Sequence, residues 1–173
     1  MTGVVHTSGG RKRAGTLLRK FAQKRSPSQH YFKNMGHHTI SKCDIEGADD
    51  IFVRQLAREH RRPAFVSVEA ISLEILAILY AGGYDRIQIV NQAFNGYVKP
   101  PKPAREGEFV TVQFNGHMSG LFGRELAPDK WIGFGEAARR YLDFVALQAR
   151  SDTLAHGWLD FYVTSAENLK QPT

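Results

Sequence analysis

The chain has 173 residues, 42% of them hydrophobic and 23% charged, which is the usage of a globular domain able to bury its own core and excludes a disordered or fibrous chain. Its single cysteine, Cys43, excludes an internal disulfide and a cysteine-rich zinc site, and fits a reducing compartment. The net charge of +6 is unevenly spread: residues 1–42 hold nine basic side chains and no acid, whereas residues 43–173 hold 14 basic and 17 acidic ones.

A block of like charge cannot pack against itself and serves as an interaction tail toward polyanions. Residues 1–42 are therefore read as a basic arm and residues 43–173 as a single α+β domain. Within the arm, Gly3, Ser8, Gly9 and Gly10 precede the cluster Arg11-Lys12-Arg13, a flexible leader ending in a basic knot. The spacing of Leu17, Leu18 and Phe21, with Arg19, Lys20, Lys24 and Arg25 around it, predicts a short basic amphipathic helix that Ser26-Pro27 stops. Tyr31 and Phe32 sit between His30 and Lys33, aromatics placed to stack on unpaired bases or to pack on a neighbour. Residues 28–46 show no clean period and are expected to be extended or loop.

Asp49 and Asp50 at one end, and Arg58, His60, Arg61 and Arg62 at the other, frame a helix closed by Pro63. Residues 64–91 then form the clearest unit. Phe65 to Val68 predict a strand, Ile71 to Tyr80 an apolar helix stopped by Gly82-Gly83, and Arg86 to Val90 a second strand. This is a βαβ-like pattern whose helix, apolar apart from Glu74, is expected to be the most buried element. The Lys99-Pro-Pro-Lys102-Pro103 stretch, extended by Arg105, predicts an exposed loop. Alternation over Phe109 to Phe114 and the Asn115-Gly116 turn predict a hairpin over 109–122. Phe134, Ala138, Tyr141, Leu142 and Val145 recur at helical spacing, and Leu154, Trp158, Phe161 and Tyr162 predict a second helix forming a C-terminal helical hairpin with the first. The expected fold is a small mixed sheet covered by helices.

Several side-chain groupings invite chemistry. His37, His38, Cys43, Asp44 and Glu46 are the one local cluster of ligand types, but their spacing matches no zinc or calcium loop, so no metal or cofactor is assigned. Ser119 has glycines at the wrong distances for a nucleophile elbow. Gly133-Phe-Gly135-Glu136 formally fits a dinucleotide fingerprint, yet Glu136 would repel a pyrophosphate there, and a turn at a helix start explains the glycines.

The longest apolar run, near Ile75 to Tyr80, is far short of the roughly 20 residues that cross a bilayer, so no membrane partner is expected. No apolar stretch follows the basic residues as in a secretory signal, although an Arg/Lys-rich, acid-free N-terminus also suits an organellar presequence. The expected setting is intracellular, in the cytoplasm or within an assembled particle. The function these features favour is a non-enzymatic structural component of a large nucleic-acid-containing particle, a virion or a ribonucleoprotein. In it Arg11, Lys12, Arg13, Arg19, Lys20, Lys24, Arg25, Tyr31, Phe32 and Lys33 would contact phosphates or acidic neighbouring subunits, and copies of the chain would associate head to tail. The alternative is a metal-dependent enzyme acting on nucleic acid through Asp44, Glu46, Asp49 and Asp50.

Overall fold

The computed structural model describes residues 40–43, 49–60, 62–115, 118–151 and 153–170. The arm helix over 14–25 and the cluster around His37, His38, Asp44 and Glu46 lie outside the described residues.

Four strands form one mixed sheet: β1 (Ile40–Lys42), β2 (Phe65–Glu69), β3 (Arg86–Asn91) and β4 (Leu159–Thr164), in the spatial order β1-β2-β4-β3. β1 runs parallel to β2, and β4 is antiparallel to both β2 and β3. Among the described residues the α-helices are α1 (Asp49–Arg58), α2 (Leu73–Ala81), α3 (Phe134–Gln148) and the short α4 (Ala166–Lys170), which with the sheet make an α+β domain as its patterning predicts. β1 lies on the arm side of the boundary expected after Lys42, so the sheet begins inside the basic segment.

The β2-α2-β3 unit forms where its punctuation places it. The Ser72 hydroxyl accepts from the Ile75 N–H at 3.3 Å and so caps α2, while Gly83, at φ +95°, takes the left-handed turn that ends it. β2 and β3 point the same way, but β4 is inserted between them, so the βαβ pattern is split and its strands are not neighbours.

That insertion corrects the reading of the C-terminus. The second helix of the expected helical hairpin is instead the central strand β4, buried along its whole length. Leu159, Phe161 and Val163 alternate with Asp160, Tyr162 and Thr164, and this period of two prevails over the helical spacing that Leu154 and Trp158 imply; those two are exposed. β4, rather than α2, is the most buried element: α2 leaves Tyr80 half exposed, stacked on Phe134 with ring centroids 4.7 Å apart.

The expected hairpin over 109–122 is also corrected. Its described residues contain no strand. Alternation specifies a strand only where a sheet edge offers backbone partners; here β4 fills the centre, and the outer edge of β3 is met by Ile132, which exchanges two 2.9 Å hydrogen bonds with Ile87.

Register decides the two faces of the sheet. Val66, Val163 and Ile87 lie side by side, as do Val68, Phe161 and Ile89, and this apolar face packs against Val53 and Leu56 of α1, Ile75, Leu76 and Leu79 of α2, and Ala137 and Tyr141 of α3. The opposite face presents Ser67, Tyr162 and Gln88 in one row and Glu69, Asp160 and Val90 in the next. On this second face Phe122 packs on Tyr162, Trp131 on Phe65, and the Ala127 carbonyl accepts from Gln88 Nε2 at 2.7 Å.

Candidate functional site

The polar face is organised by the 3₁₀ turn Gln92–Tyr97, which follows β3 directly. Asn91 holds its start: its Oδ1 accepts from the Ala93 N–H at 3.0 Å and its Nδ2 donates to the His156 carbonyl at 2.7 Å. The Gln92 N–H donates to the Trp158 carbonyl at 2.9 Å, tying the turn to the approach of β4. With about three residues per turn, side chains three apart line up. Gln92 and Asn95 therefore share the inward side, where both are buried, and Phe94 and Tyr97 share the outward side, where both are exposed.

The inward pair belongs to a continuous polar chain. Gln92 Nε2 donates to Asp160 Oδ2 at 2.8 Å and reaches the Tyr162 hydroxyl at 3.4 Å. Asn95 Nδ2 donates to Gln92 Oε1 and, at 2.6 Å, to the Met118 carbonyl. The Tyr162 hydroxyl donates to the Ser119 carbonyl at 2.8 Å, and Ser67 Oγ stands 3.5 Å from Asp160 Oδ2. Burial pushes the Tyr162 phenol above its ordinary range and the Asp160 charge acts in the same sense, against the hydrogen bond from Gln92, so this hydroxyl stays a proton donor to the loop. Gly120 passes this point at φ +70°, with Asn95 Oδ1 only 2.7 Å from where a Cβ would stand; a side chain there would meet both strain and a clash.

At the rim, Lys42 Nζ donates to Ser119 Oγ at 2.7 Å. A lysine activates a serine only when burial strips its ammonium of water, and Lys42 is exposed. The hydroxyl serves here as an acceptor that, with the Tyr162 bond to its own carbonyl, fixes the loop over the sheet. Cys43 is buried among the apolar side chains, its backbone N–H donating to the Ser67 carbonyl at 2.8 Å. Asp49 is turned inward at the start of α1, and Asp50 is exposed, 3.9 Å from Arg54 Nε. Among the described residues no three His, Cys, Asp or Glu side chains converge as metal ligands.

Gly133 does start a helix, α3, with Glu136 in its first turn. Hydrogen bonds from Arg139 and then Arg140 hold the Glu136 carboxyl down at about 2. The helix start therefore carries its own anion, where a bound pyrophosphate would need the charge reversed. The proline-rich segment exposes Lys99, Lys102 and Pro103 and half-buries Pro100 and Pro101, and it is stapled at one end: Arg105 Nη1 donates to the Glu125 and Leu126 carbonyls at 2.8 and 3.0 Å, while Glu125 Oε1 accepts from the Arg105 and Glu106 N–H groups. Lys102 Nζ lies 5.3 Å from the Phe109 ring centroid.

Arg11, Lys12, Arg13, Arg19, Lys20, Lys24, Arg25, Tyr31, Phe32 and Lys33 all lie outside the described residues, so the structure brings none of them to this face. Sequence reasoning passed over the 92–97 turn. Its signal was a period of three, with amides at 92 and 95 and aromatics at 94 and 97, directly after a strand. No helix among the described residues is long and apolar enough to cross a membrane. Comparison with known proteins adds no identity: no family model, curated protein or solved structure matches the chain.

Proposed function

We propose that the chain is a non-enzymatic assembly component of a large nucleic-acid-containing particle, a virion or a ribonucleoprotein. The observation that carries this reading is the segregation of charge, nine basic residues and no acid in 1–42 against 14 basic and 17 acidic residues in 43–173. Such an arm neutralises phosphates and releases their counterions without reading sequence. The acid-rich domain offers the arm of another copy a complementary surface, which suits head-to-tail association. The polar network supports a structural role for the domain, since Gln92, Asn95 and Tyr162 direct their donors to partners within the chain and hold a loop in place.

The test replaces Arg11, Lys12, Arg13, Arg19, Lys20, Lys24 and Arg25 with glutamine in the full chain. Light scattering and nucleic-acid binding are then followed from low to high salt. The native chain should bind single strands with a logarithmic salt slope of about −5, as expected for roughly seven phosphate contacts, and the substituted chain should lose that slope and the particles formed. A native chain that stays monomeric and binds no nucleic acid at low salt overturns the proposal. Metal-dependent cleavage of the added strand, lost on replacing Asp44 and Glu46, would replace it with the enzymatic alternative.

A further inference from the structure

The 92–97 turn is amphipathic in the reverse of the usual sense. Its amides face the protein interior, Asn95 being 1% exposed, whereas Phe94 is 54% and Tyr97 84% exposed. A short turn ordinarily places its aromatic rings inward, because burying them removes 150–250 Å² of mostly apolar surface each from water. Here the inward positions are taken by the polar chain to Asp160, and the rings are left outside.

The rings are also held in place rather than trailing. Asn91, Gln92 and Asn95 tie the turn to His156, Trp158, Asp160 and Met118, and Gly157, at φ +93°, lets the approach to β4 pass so close that a Cβ there would stand 2.6 Å from Ala93 Cβ. The two ring centroids are 6.5 Å apart and tilted by 44°, so neither ring covers the other's face. Trp158, whose carbonyl anchors the turn, is half exposed at the same end of the sheet. From Asn91 to Arg105 the chain carries Lys99, Lys102 and Arg105 and no acid. Arg105 is committed to the Glu125 and Leu126 carbonyls, and Lys102 Nζ lies 5.3 Å from the Phe109 ring centroid, while Lys99, two residues after Tyr97, is exposed.

We infer that Phe94 and Tyr97 form a stacking platform for unpaired bases of a single-stranded nucleic acid, with Lys99 and Lys102 following its phosphates. Fixed, exposed rings followed along the chain by cations are the parts with which sequence-tolerant single-strand sites are made. The adjacent positive charge favours a polyanion over an apolar protein surface. This inference rests on the nucleic-acid reading of the arm and adds to it a second, domain-borne site that selects single strands, which the arm's charge alone does not do.

The experiment compares the native full chain with Phe94→Ala/Tyr97→Ala, with Tyr97→Phe, and with the glutamine-substituted arm. Each is titrated with a labelled oligouridine and with a duplex of equal length, at two salt concentrations. The double variant should keep its melting temperature and its duplex affinity but bind oligouridine roughly tenfold or more weaker per ring removed, whereas Tyr97→Phe, which keeps the ring, should bind as the native chain does. Unchanged oligouridine binding by the double variant overturns the platform while leaving the arm reading intact. Ring-dependent oligouridine binding whose affinity and salt slope are unchanged in the glutamine-substituted arm upholds the platform and overturns the arm. Loss of self-association in the double variant with strand binding unchanged assigns the rings to a protein contact and overturns the platform.

Discussion

The two faces of the sheet are held by different kinds of interaction. On one, Val66, Val68, Ile87, Phe161 and Val163 meet three helices through apolar side chains alone. On the other, Gln88 and Tyr162 donate to the backbone carbonyls of Ala127 and Ser119, and Asp160 accepts from the Gln92 side chain with Ser67 Oγ 3.5 Å away. Apolar burial is non-directional and tolerates adjustment. A buried polar network succeeds only when each donor and acceptor finds its partner. The contrast teaches why the helical face is legible as hydrophobic spacing while the loop face is not.

Breaking the apolar face should have the largest effect. Phe161 is fully buried, with the Tyr141 ring 5.2 Å away in an edge arrangement. Phe161→Ala should cost about 3–5 kcal/mol, measured by denaturant unfolding, and a loss well below about 2 kcal/mol would show that the helices do not depend on β4 for their packing.

A smaller and more local loss should follow on the polar face. Asn95→Ala removes the donor to Met118 and to Gln92 and should cost about 1–3 kcal/mol, the range for leaving buried polar groups unpaired. Amide exchange should accelerate over residues 92–97 and 118–122 while β2 and β4 keep their protection. Equal acceleration in β4 would mean that both faces open as one unit, and the contrast between them would fail.

The smallest effect belongs to the surface of α3. The Glu136 carboxyl is lowered from its ordinary 4.5 to about 2 by Arg139 and Arg140. A carboxyl lowered on folding contributes stability above its unfolded value and loses it as the pH falls through its folded one. Glu136→Gln should therefore melt slightly below the native chain at neutral pH, and the gap should close between about pH 4.5 and pH 2. Because the group is solvent-exposed, salt should shrink the gap as well. A gap that widens on acidification would show that the arginines do not favour the charged form.

Much of the helical layer was legible in the residues. Gly82-Gly83 mark the end of α2, Asp49 and Asp50 the start of α1, and Phe134 and Tyr141 the inward side of α3, whereas Leu142 and Val145 of the expected stripe are exposed and Ala137 is the buried neighbour. The failures have different causes. Leu154 and Trp158 simulate a helical stripe only when joined to Phe161 and Tyr162, and the joint is broken at Gly157, whose backbone at φ +93° separates an exposed turn from a buried strand. Phe109 to Phe114 alternate as a strand does but pair with no strand of the sheet. The 92–97 turn escaped because its buried residues are amides and its exposed ones aromatic, so a search for apolar side chains facing inward reads it backwards.

By itself the sequence determined the charge division at residue 42, the acidic start of α1, the glycine stop of α2, the β2-α2-β3 order and the membership of the α+β class, because these depend on local chemistry: caps, breakers, periods and counted charges. Only the tertiary structure decided that β4 lies between β2 and β3, that Asp160 and Tyr162 meet Gln92 and Asn95, and that Phe94 and Tyr97 are left outside. Those outcomes depend on strand register across long separations, as between Ser67 and Tyr162. Pairing of that kind is a property of which backbone edges remain available once the rest of the chain has packed.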